Sequence, residues 1–275
     1  MTDSVIAWQR ENLPFLRACG VAPACTDQVS VFAPWLWMDE RFDTLLESLL
    51  TAVLATRYFC GNLKVTVIVN RMTPALEKCL ENTEVELFMA PHIRGGSGAG
   101  RELNLDSIQN MHTRVDTDYF LTIQHHAFPI RRGLNAFVGR FDYIAAPWKF
   151  GKDDWITRCL LHHRHDVGNG AFSLRSRRIH EMASWYFRRK YKLIPFCYLL
   201  IDDYFLCKVL PSWERKYRET IKIASPEEAV EFSLEENVTF YEQQNAHPFG
   251  FHGPVAFTRL LADRKTPEIL TTVQG

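Results

Sequence analysis

The first regular pattern along the chain is Val29-Ser30-Val31-Phe32-Ala33, a β-branched and apolar run that predicts a strand. Over residues 43–58 leucines and alanines recur at helical spacing, and over 64–70 the run VTVIV is nearly all β-branched, as a strand covered on both faces requires. Pro74 starts a helix that continues over 75–81, residues 85–89 make a third strand, and 93–100 form a glycine-rich loop. A helix over 101–115 leads into the strand Tyr119-Phe120-Leu121-Thr122-Ile123. Such alternation predicts an α/β fold with a mostly parallel sheet flanked by helices, and ligands in such sheets sit beyond the carboxyl ends of the strands.

The second half is less regular. Residues 143–148 read as a short strand ending at Pro147, 168–175 as a loop entering a strand, and 178–190 as a helix. Another helix begins over 202–209, with Asp202 or Asp203 near its first turn, and Ser225-Pro226-Glu227-Glu228 fits a further helix start. The tail closes on Pro248-Phe249-Gly250-Phe251-His252-Gly253. No repeat or low-complexity linker divides the chain, so residues 1–275 are expected to fold as one unit, with halves at about 28–130 and 131–260.

Composition narrows the partners. Hydrophobic residues at 47% and aromatics at 13% belong to a chain that folds. Lys+Arg and Asp+Glu balance at 32 each, so there is no overall field to hold nucleic acid or an acidic membrane. Basic character is local, in Arg175, Arg177, Arg178, Arg188, Arg189, Lys190 and Lys192, which reads equally as a solvated face and as a phosphate contact. The seven cysteines are never spaced as CxxC and stand mostly in apolar surroundings, so reduced, buried thiols in a reducing compartment are expected. Neither a signal peptide nor a run of eighteen apolar residues is present, which leads to a cytoplasmic protein without a transmembrane segment, free or held peripherally at the inner membrane face.

Candidate chemistry lies where the pattern breaks. Gln124-His125-His126 emerges at the end of a predicted parallel strand, and strand alternation would turn His126 to the same face as Gln124. In Gly168-Asn169-Gly170-Ala171-Phe172-Ser173-Leu174-Arg175 the glycines let a ligand approach the backbone, while Asn169 and Ser173 offer hydrogen bonds to sugar hydroxyls; an ordinary Asn-Gly turn is the plainer reading. Asp202-Asp203 follows an apolar run. Helix capping accounts for Asp202 alone, whereas a carboxylate beside a hydroxyl can also accept its proton.

Together with Asp142 to Trp148 and Gly250-Phe251-His252, these segments resemble an uncharacterised glycosyltransferase-like domain family. Its pattern runs Gln-x-Asp, Asp-Tyr-x-Gly-Ala-Pro-Trp, Gly-Asn-Gly-Gly-x-Ser-Leu-Arg, Glu-Asp and Gly-x-His. The resemblance covers 119–253. It implies a GT-A-like fold, a nucleotide-sugar donor in the first half, a glycan or glycoconjugate acceptor in the second, and a part in surface polysaccharide biosynthesis. By the same likeness Asp203 is the base of an inverting displacement with Asp202 as its partner. Gln124, Trp148, Gly168, Asn169, Gly170, Ser173 and Arg175 are implied to bind substrate, and His126 and His252 to hold a divalent cation such as Mn²⁺. His126 stands where the pattern has aspartate, and Ala145 and Ala171 where it has glycine. A softer ion, metal-free catalysis with Arg175, Arg177 or residues 94–101 near the diphosphate, and an inactive GT-A-like binding or scaffold protein therefore remain open.

Two other classes carry less. The histidines His162, His163 and His165 lack an HExxH and fit a loop near the acceptor better than a hydrolase metal shell. Gly95-Gly96-Ser97-Gly98-Ala99-Gly100 matches the dinucleotide fingerprint poorly and follows the third strand rather than the first.

Overall fold

A computed structural model describes residues 4–36, 40–94, 99–148, 167–190, 201–213 and 220–263. Helix α1 (Ser4–Ala18) precedes strand β1 (Val29–Trp35). Helix α2 (Leu46–Cys60), strand β2 (Val65–Val69), helix α3 (Pro74–Leu80) and strand β3 (Glu86–Met89) follow. Helix α4 (Ala99–Asn110) then leads to β4 (Tyr119–Thr122). The β-branched run of β2 is buried at every position, as its composition requires. Helix α3 starts where Pro74 predicts, because Thr73 caps it by accepting from the Leu76 amide at 3.2 Å.

The remaining strands are β5 (Ala127–Pro129), β6 (Tyr143–Ala145), β7 (Ser173–Ser176), β8 (Ser233–Leu234) and β9 (Gly250–His252). The six-stranded sheet runs β3-β2-β1-β4-β7-β6. Neighbours from β3 to β4 are parallel, β7 is antiparallel to β4, and β6 is antiparallel to β7. Only β7 therefore opposes the common direction, and the mostly parallel α/β sheet is present. A small sheet, β5-β9-β8, stands beside it.

Alternation sends Val31, Ala33, Val65, Val67, Val69 and Leu121 into one core, shared with α2 and α3, and Phe32, Ile68 and Phe120 into a second core with Leu103 and Met111. Helices thus cover both faces and leave the carboxyl ends of β1, β2 and β4 as the place where polar side chains can gather.

The second half adds α5 (Arg177–Lys190) and α6, which is α-helical at Asp202–Tyr204, π-helical at Phe205–Val209 and α-helical again at Leu210–Trp213. After it come α7 (Pro226–Phe232), α8 (Val238–Gln244) and α9 (Gly253–Ala262). Ser225 and Glu228 close a reciprocal capping box on α7, as the Ser-Pro-Glu-Glu sequence predicts.

Several expectations shift. Helices α1, α8 and α9 have no counterpart in the sequence pattern. The helix expected over 101–115 ends at Asn110 and tightens into a 3₁₀ turn at Met111–Thr113. The strand expected to reach Pro147 stops at Ala145, and Pro147 makes an isolated bridge to Val167. Of the cysteines described, Cys60 and Cys207 are buried, Cys19 and Cys79 are partly covered, and Cys25 is exposed. His162, His163, His165 and the glycines at 95, 96 and 98 lie outside the described residues.

Candidate functional site

Strand β4 ends at Thr122, and the chain reverses at once: the Gln124 amide donates to the Ala127 carbonyl at 2.9 Å and the Ala127 amide to the Gln124 carbonyl at 3.0 Å. His125 and His126 are thus the two central residues of a tight turn, not consecutive strand residues on opposite faces. Their rings meet, with His126 Nδ1 2.9 Å from His125 Nε2. The expectation that His126 shares a face with Gln124 gives way: Gln124 lines a cleft, whereas His126 Nε2 lies 3.0 Å from His252 Nε2.

That cleft, about 190 Å³, opens at the carboxyl ends of the parallel strands. Pro34, Ile68, Thr122 and Gln124 line it from the sheet, Asn104 and Ser107 from α4, Gly170 and Arg175 from the loop and strand β7, and Asp202 and Asp203 from the start of α6. The strand end, the Gly-Asn-Gly turn and the aspartate pair therefore share one cavity. The Thr122 hydroxyl is buried there with no hydrogen-bond partner among the described residues. Larger hollows among the described residues lie elsewhere. One of about 750 Å³ lies among Leu16, Leu50, Lys78 and Asn82 of the region of α1, α2 and α3, and another of about 540 Å³ surrounds Gln28, Tyr119 and Arg177, at the opposite end of β4.

The two aspartates are neighbours with opposite environments. Arg175 Nη1 donates to Asp202 Oδ2 at 2.6 Å, and the Ser107 hydroxyl donates to the same oxygen at 2.9 Å. Burial alone would raise the Asp202 carboxyl, but the guanidinium and these hydrogen bonds hold it below the usual range. Asp203 receives no such cation. Burial and the charge of Asp202 push its pKa up to about 6, against the pull of Arg175 and of backbone amides. Those amides are Asn169 at 2.8 Å and Gly170 at 3.1 Å on Oδ2, and Tyr204 at 2.7 Å on Oδ1. Ile201 is the N-cap and offers no side-chain cap, while Asp202 Oδ1 accepts from the Asp203 amide at 2.8 Å and the pair thereby satisfies first-turn amides of the helix as well as lining the cleft.

Arg175 is fully enclosed. Its Nε donates to the Ser173 hydroxyl at 2.8 Å, Nη2 to the Gly170 carbonyl at 3.2 Å, and its guanidinium carbon lies 5.2 Å from the Tyr143 ring centroid. Arg175 lines the cleft, and three of its donors are already engaged by Asp202, Ser173 and Gly170. The expectation that Arg177 joins it there is corrected: that residue lies in the hollow at the far end of the sheet. Ser173 is fully buried, its hydroxyl donating to the Gly170 carbonyl and accepting from Arg175, and it is not among the residues that line the cleft.

Each glycine of the turn has a separate task. A Cβ on Gly168 would lie 1.9 Å from Cζ2 of Trp148, so the indole rests directly on that residue. A Cβ on Gly170 would reach 2.6 Å from Arg175 Nη2 and 3.2 Å from Asp202 Oδ1. Between them Asn169 adopts φ 83°, a left-handed conformation that asparagine tolerates better than most residues. Trp148 stacks on Tyr204 at 6.1 Å, behind the turn and outside the residues that line the cleft. Asp142, from the same segment as Trp148, accepts from Ser176, Arg178 and the Lys222 amide, tying the far end of β7.

Asn169 also links the two halves of the site, with Nδ2 3.0 Å from His252 Nδ1. Glu235 Oε1 lies 2.8 Å from that same nitrogen. Burial, then the neighbouring His125 and His252, lower the His126 pKa to about 3, so its imidazole is neutral at working pH. The two imidazole nitrogens, 3.0 Å apart, are at hydrogen-bond distance, and the same separation suits neighbouring ligands on one ion, for which imidazole favours Zn²⁺ over the harder Mn²⁺. Among the described residues no group of three or more His, Cys, Asp and Glu forms a protein-only shell.

Sequence reasoning missed Ser107, Thr122 and Glu235. Ser107 sits mid-helix and Glu235 in a run of acids, so neither carries a local signal. Only the fold brings them to Asp202 and His252.

No helix among the described residues is long and apolar enough to cross a membrane. A family model described as a protein of unknown function, DUF5672, matches residues 107–252. That span begins at the serine that holds Asp202 and ends at the histidine that meets His126. No curated protein matches the chain.

Proposed function

We propose, from the premise that the chain belongs to the DUF5672 family of proteins of unknown function, that it is a GT-A-like glycosyltransferase using a nucleotide-sugar donor. The observation that carries this reading is the divided aspartate pair: one carboxylate is pinned ionised by Arg175, and the other, with a pKa of about 6, faces a cleft at the carboxyl ends of parallel strands. Carboxylates driven apart in this way are suited to separate roles, and one poised near neutral pH is suited to proton transfer.

In this reading the acceptor hydroxyl oxygen attacks the anomeric carbon of the donor. Its proton passes to Asp203, and the bond to the nucleoside diphosphate breaks with inversion. Asp202 fixes the charge beside the base, and the Asn169 and Gly170 amides aim it. Gln124 and the unpartnered Thr122 hydroxyl offer hydrogen bonds to the bound sugar. The cleft is smaller than the ~300 Å³ at which pockets for whole ligands begin, so it admits one piece of a donor, such as a sugar ring, while the rest lies in the open.

The Nε2 atoms of His126 and His252 are the proposed hold for a divalent cation and would place its charge near the donor's diphosphate. When bound, the cation offsets charge on the departing diphosphate. The acceptor is proposed to be a glycan or glycoconjugate.

The test is a thermal-shift screen of nucleoside diphosphates and nucleotide-sugars with and without Mn²⁺, followed by transfer assays on any donor that raises Tm. Stabilisation by one nucleotide-sugar class, with transfer lost in Asp203→Asn, is expected. Stabilisation without transfer to any acceptor returns the inactive binding protein, and no stabilisation by any nucleotide removes the reading.

A further inference from the structure

The loop between α1 and β1 runs against the end of α2. The Cys25 amide donates to the Cys60 carbonyl at 2.9 Å, and the Asn62 amide donates to the Ala22 carbonyl at 2.9 Å. Between these bonds the two backbones are in close contact: Gly61 has φ 79°, and a Cβ there would lie 2.0 Å from the Pro23 carbonyl oxygen. With standard backbone dimensions, the 2.9 Å bond from the Cys25 amide to the Cys60 carbonyl holds the two Cα atoms within ~6.8 Å of each other. That bound does not exceed the ~4.4–6.8 Å that a disulfide spans.

The side chains agree with the backbone. Cys25 and Cys60 line the same hollow of about 160 Å³, together with Leu134 and Asn135. The Asn135 side-chain Nδ2 donates to the Cys25 carbonyl at 2.9 Å and fixes that side of the pair. Cys25 is exposed, whereas Cys60 is buried, so one thiol meets reagents and the other waits behind it.

The geometry points to Cys25 and Cys60 as a two-thiol modification site that closes reversibly to a disulfide, with a small-molecule disulfide as oxidant. Cys25, as thiolate, attacks one sulfur of the small disulfide, forming a mixed disulfide and releasing one small thiolate. Cys60 gives its proton to solvent, and its sulfur attacks the Cys25 sulfur and expels the second small thiolate. Two protein thiols are thereby oxidised by two electrons, and the reagent is reduced to two thiols. Burial raises the pKa of both thiols, that of Cys60 most strongly, and the neighbouring Cys25 raises Cys60 further. Closure therefore quickens as pH rises from 7 to 9.

The closed bond would tie the loop after α1 to the end of α2 and enclose β1. Constraining the unfolded chain in this way raises Tm. The site is separate from the cleft, so it stands or falls independently of the transferase reading.

The experiment incubates the full chain with oxidised glutathione across pH 7 to 9, then counts thiols under denaturation and maps peptides without reduction. Of seven cysteines, two are expected to disappear, in one peptide joining Cys25 to Cys60, with a rise in Tm that dithiothreitol reverses. Cys25→Ser, at an exposed position, abolishes the linked peptide, and Cys60→Ser stops the reaction at a glutathione adduct on Cys25. A wild-type product that remains an adduct, a Cys25 bond to Cys19 or Cys79, or no thiol loss at pH 9 would each overturn the proposal.

Discussion

Asp202 and Asp203 share a backbone, a burial depth and a cavity, and differ most in that the Arg175 guanidinium is bonded to Asp202 alone. That asymmetry yields two predictions. Transfer should rise with pH through about 6, as Asp203 loses its proton, and Asp203→Asn should lower kcat/KM by ~10²–10⁴-fold, read from a pH–rate profile. The same raised pKa has a sign in stability. The folded state keeps a proton on Asp203 over about pH 4 to 6 where the unfolded chain has lost it, so this group makes stability fall as pH rises through that window. Subtracting the Tm of wild type from that of Asp203→Asn should give a difference that grows from pH 4 to pH 7; a flat difference would show that Asp203 has an ordinary pKa. Arg175 is held inside the fold by Asp202, Ser173 and Gly170. Arg175→Met leaves Asp202 buried without its cation, a loss of about 3–5 kcal/mol by denaturant unfolding at pH 7. The aspartates were legible in the sequence because paired carboxylates after an apolar run are conspicuous. The function of Arg175 was not, because nothing local shows that its charge is neutralised by a residue far along the chain.

Among the elements, those that read correctly are the ones whose local preference and tertiary role agree. Strand β2 is β-branched and buried throughout, and α3 and α7 carry their proline and capping residues at their starts. Helix α1 escaped because its buried face includes Gln9 and Asn12 beside Val5, Trp8, Leu13 and Leu16, and Pro14 lies inside it. Polar residues on the inner face blur the apolar period on which such a reading rests. Gln9 has a reason to be there: its side-chain amide donates to the carbonyls of Ser48 and His125, joining α1 to α2 and to the histidine turn. The turn itself defeated strand alternation, since β4 ends before the histidines begin. In the Gly-Asn-Gly element, the sequence shows freedom to approach a ligand, but the structure gives Gly168 to Trp148. Gly168→Ala should therefore destabilise by about 1–3 kcal/mol through overpacking and loosen the Trp148 ring, seen as a change in its stacking on Tyr204 by NMR. An unchanged Tm would mean that the indole yields freely.

At the scale of the whole molecule, both ends of the described chain close on the same core. Trp8 of α1 stacks on Phe128 of β5 at 5.7 Å and meets Phe257 of α9 edge-on at 5.7 Å, and the Ser4 hydroxyl lies 2.8 Å from that of Thr258. The alternating pattern of the first half made the α/β class and the position of the cleft readable, because parallel strands expose their carboxyl ends wherever helices cover their faces. It could not reveal that α1 packs against α9, a contact between distant segments with no local signal. This junction stands behind the site: Phe128 belongs to the strand that leaves the histidine turn, and Phe251, next to His252, packs on Phe128 at 4.8 Å and on Phe257 at 4.9 Å. Trp8→Ala should thus do more than remove an indole. Truncating a buried tryptophan costs about 3–5 kcal/mol, and the cavity would open beneath β5 and β9 together. The expected result is a lower Tm with one cooperative transition, accompanied in ¹⁵N spectra by shifts at His126 and His252, while the Asp142 end of the sheet stays unperturbed. If Tm fell while both histidines kept their wild-type signals, α1 would be a prop for the fold alone, and the histidine pair would owe its geometry to the turn and to Glu235.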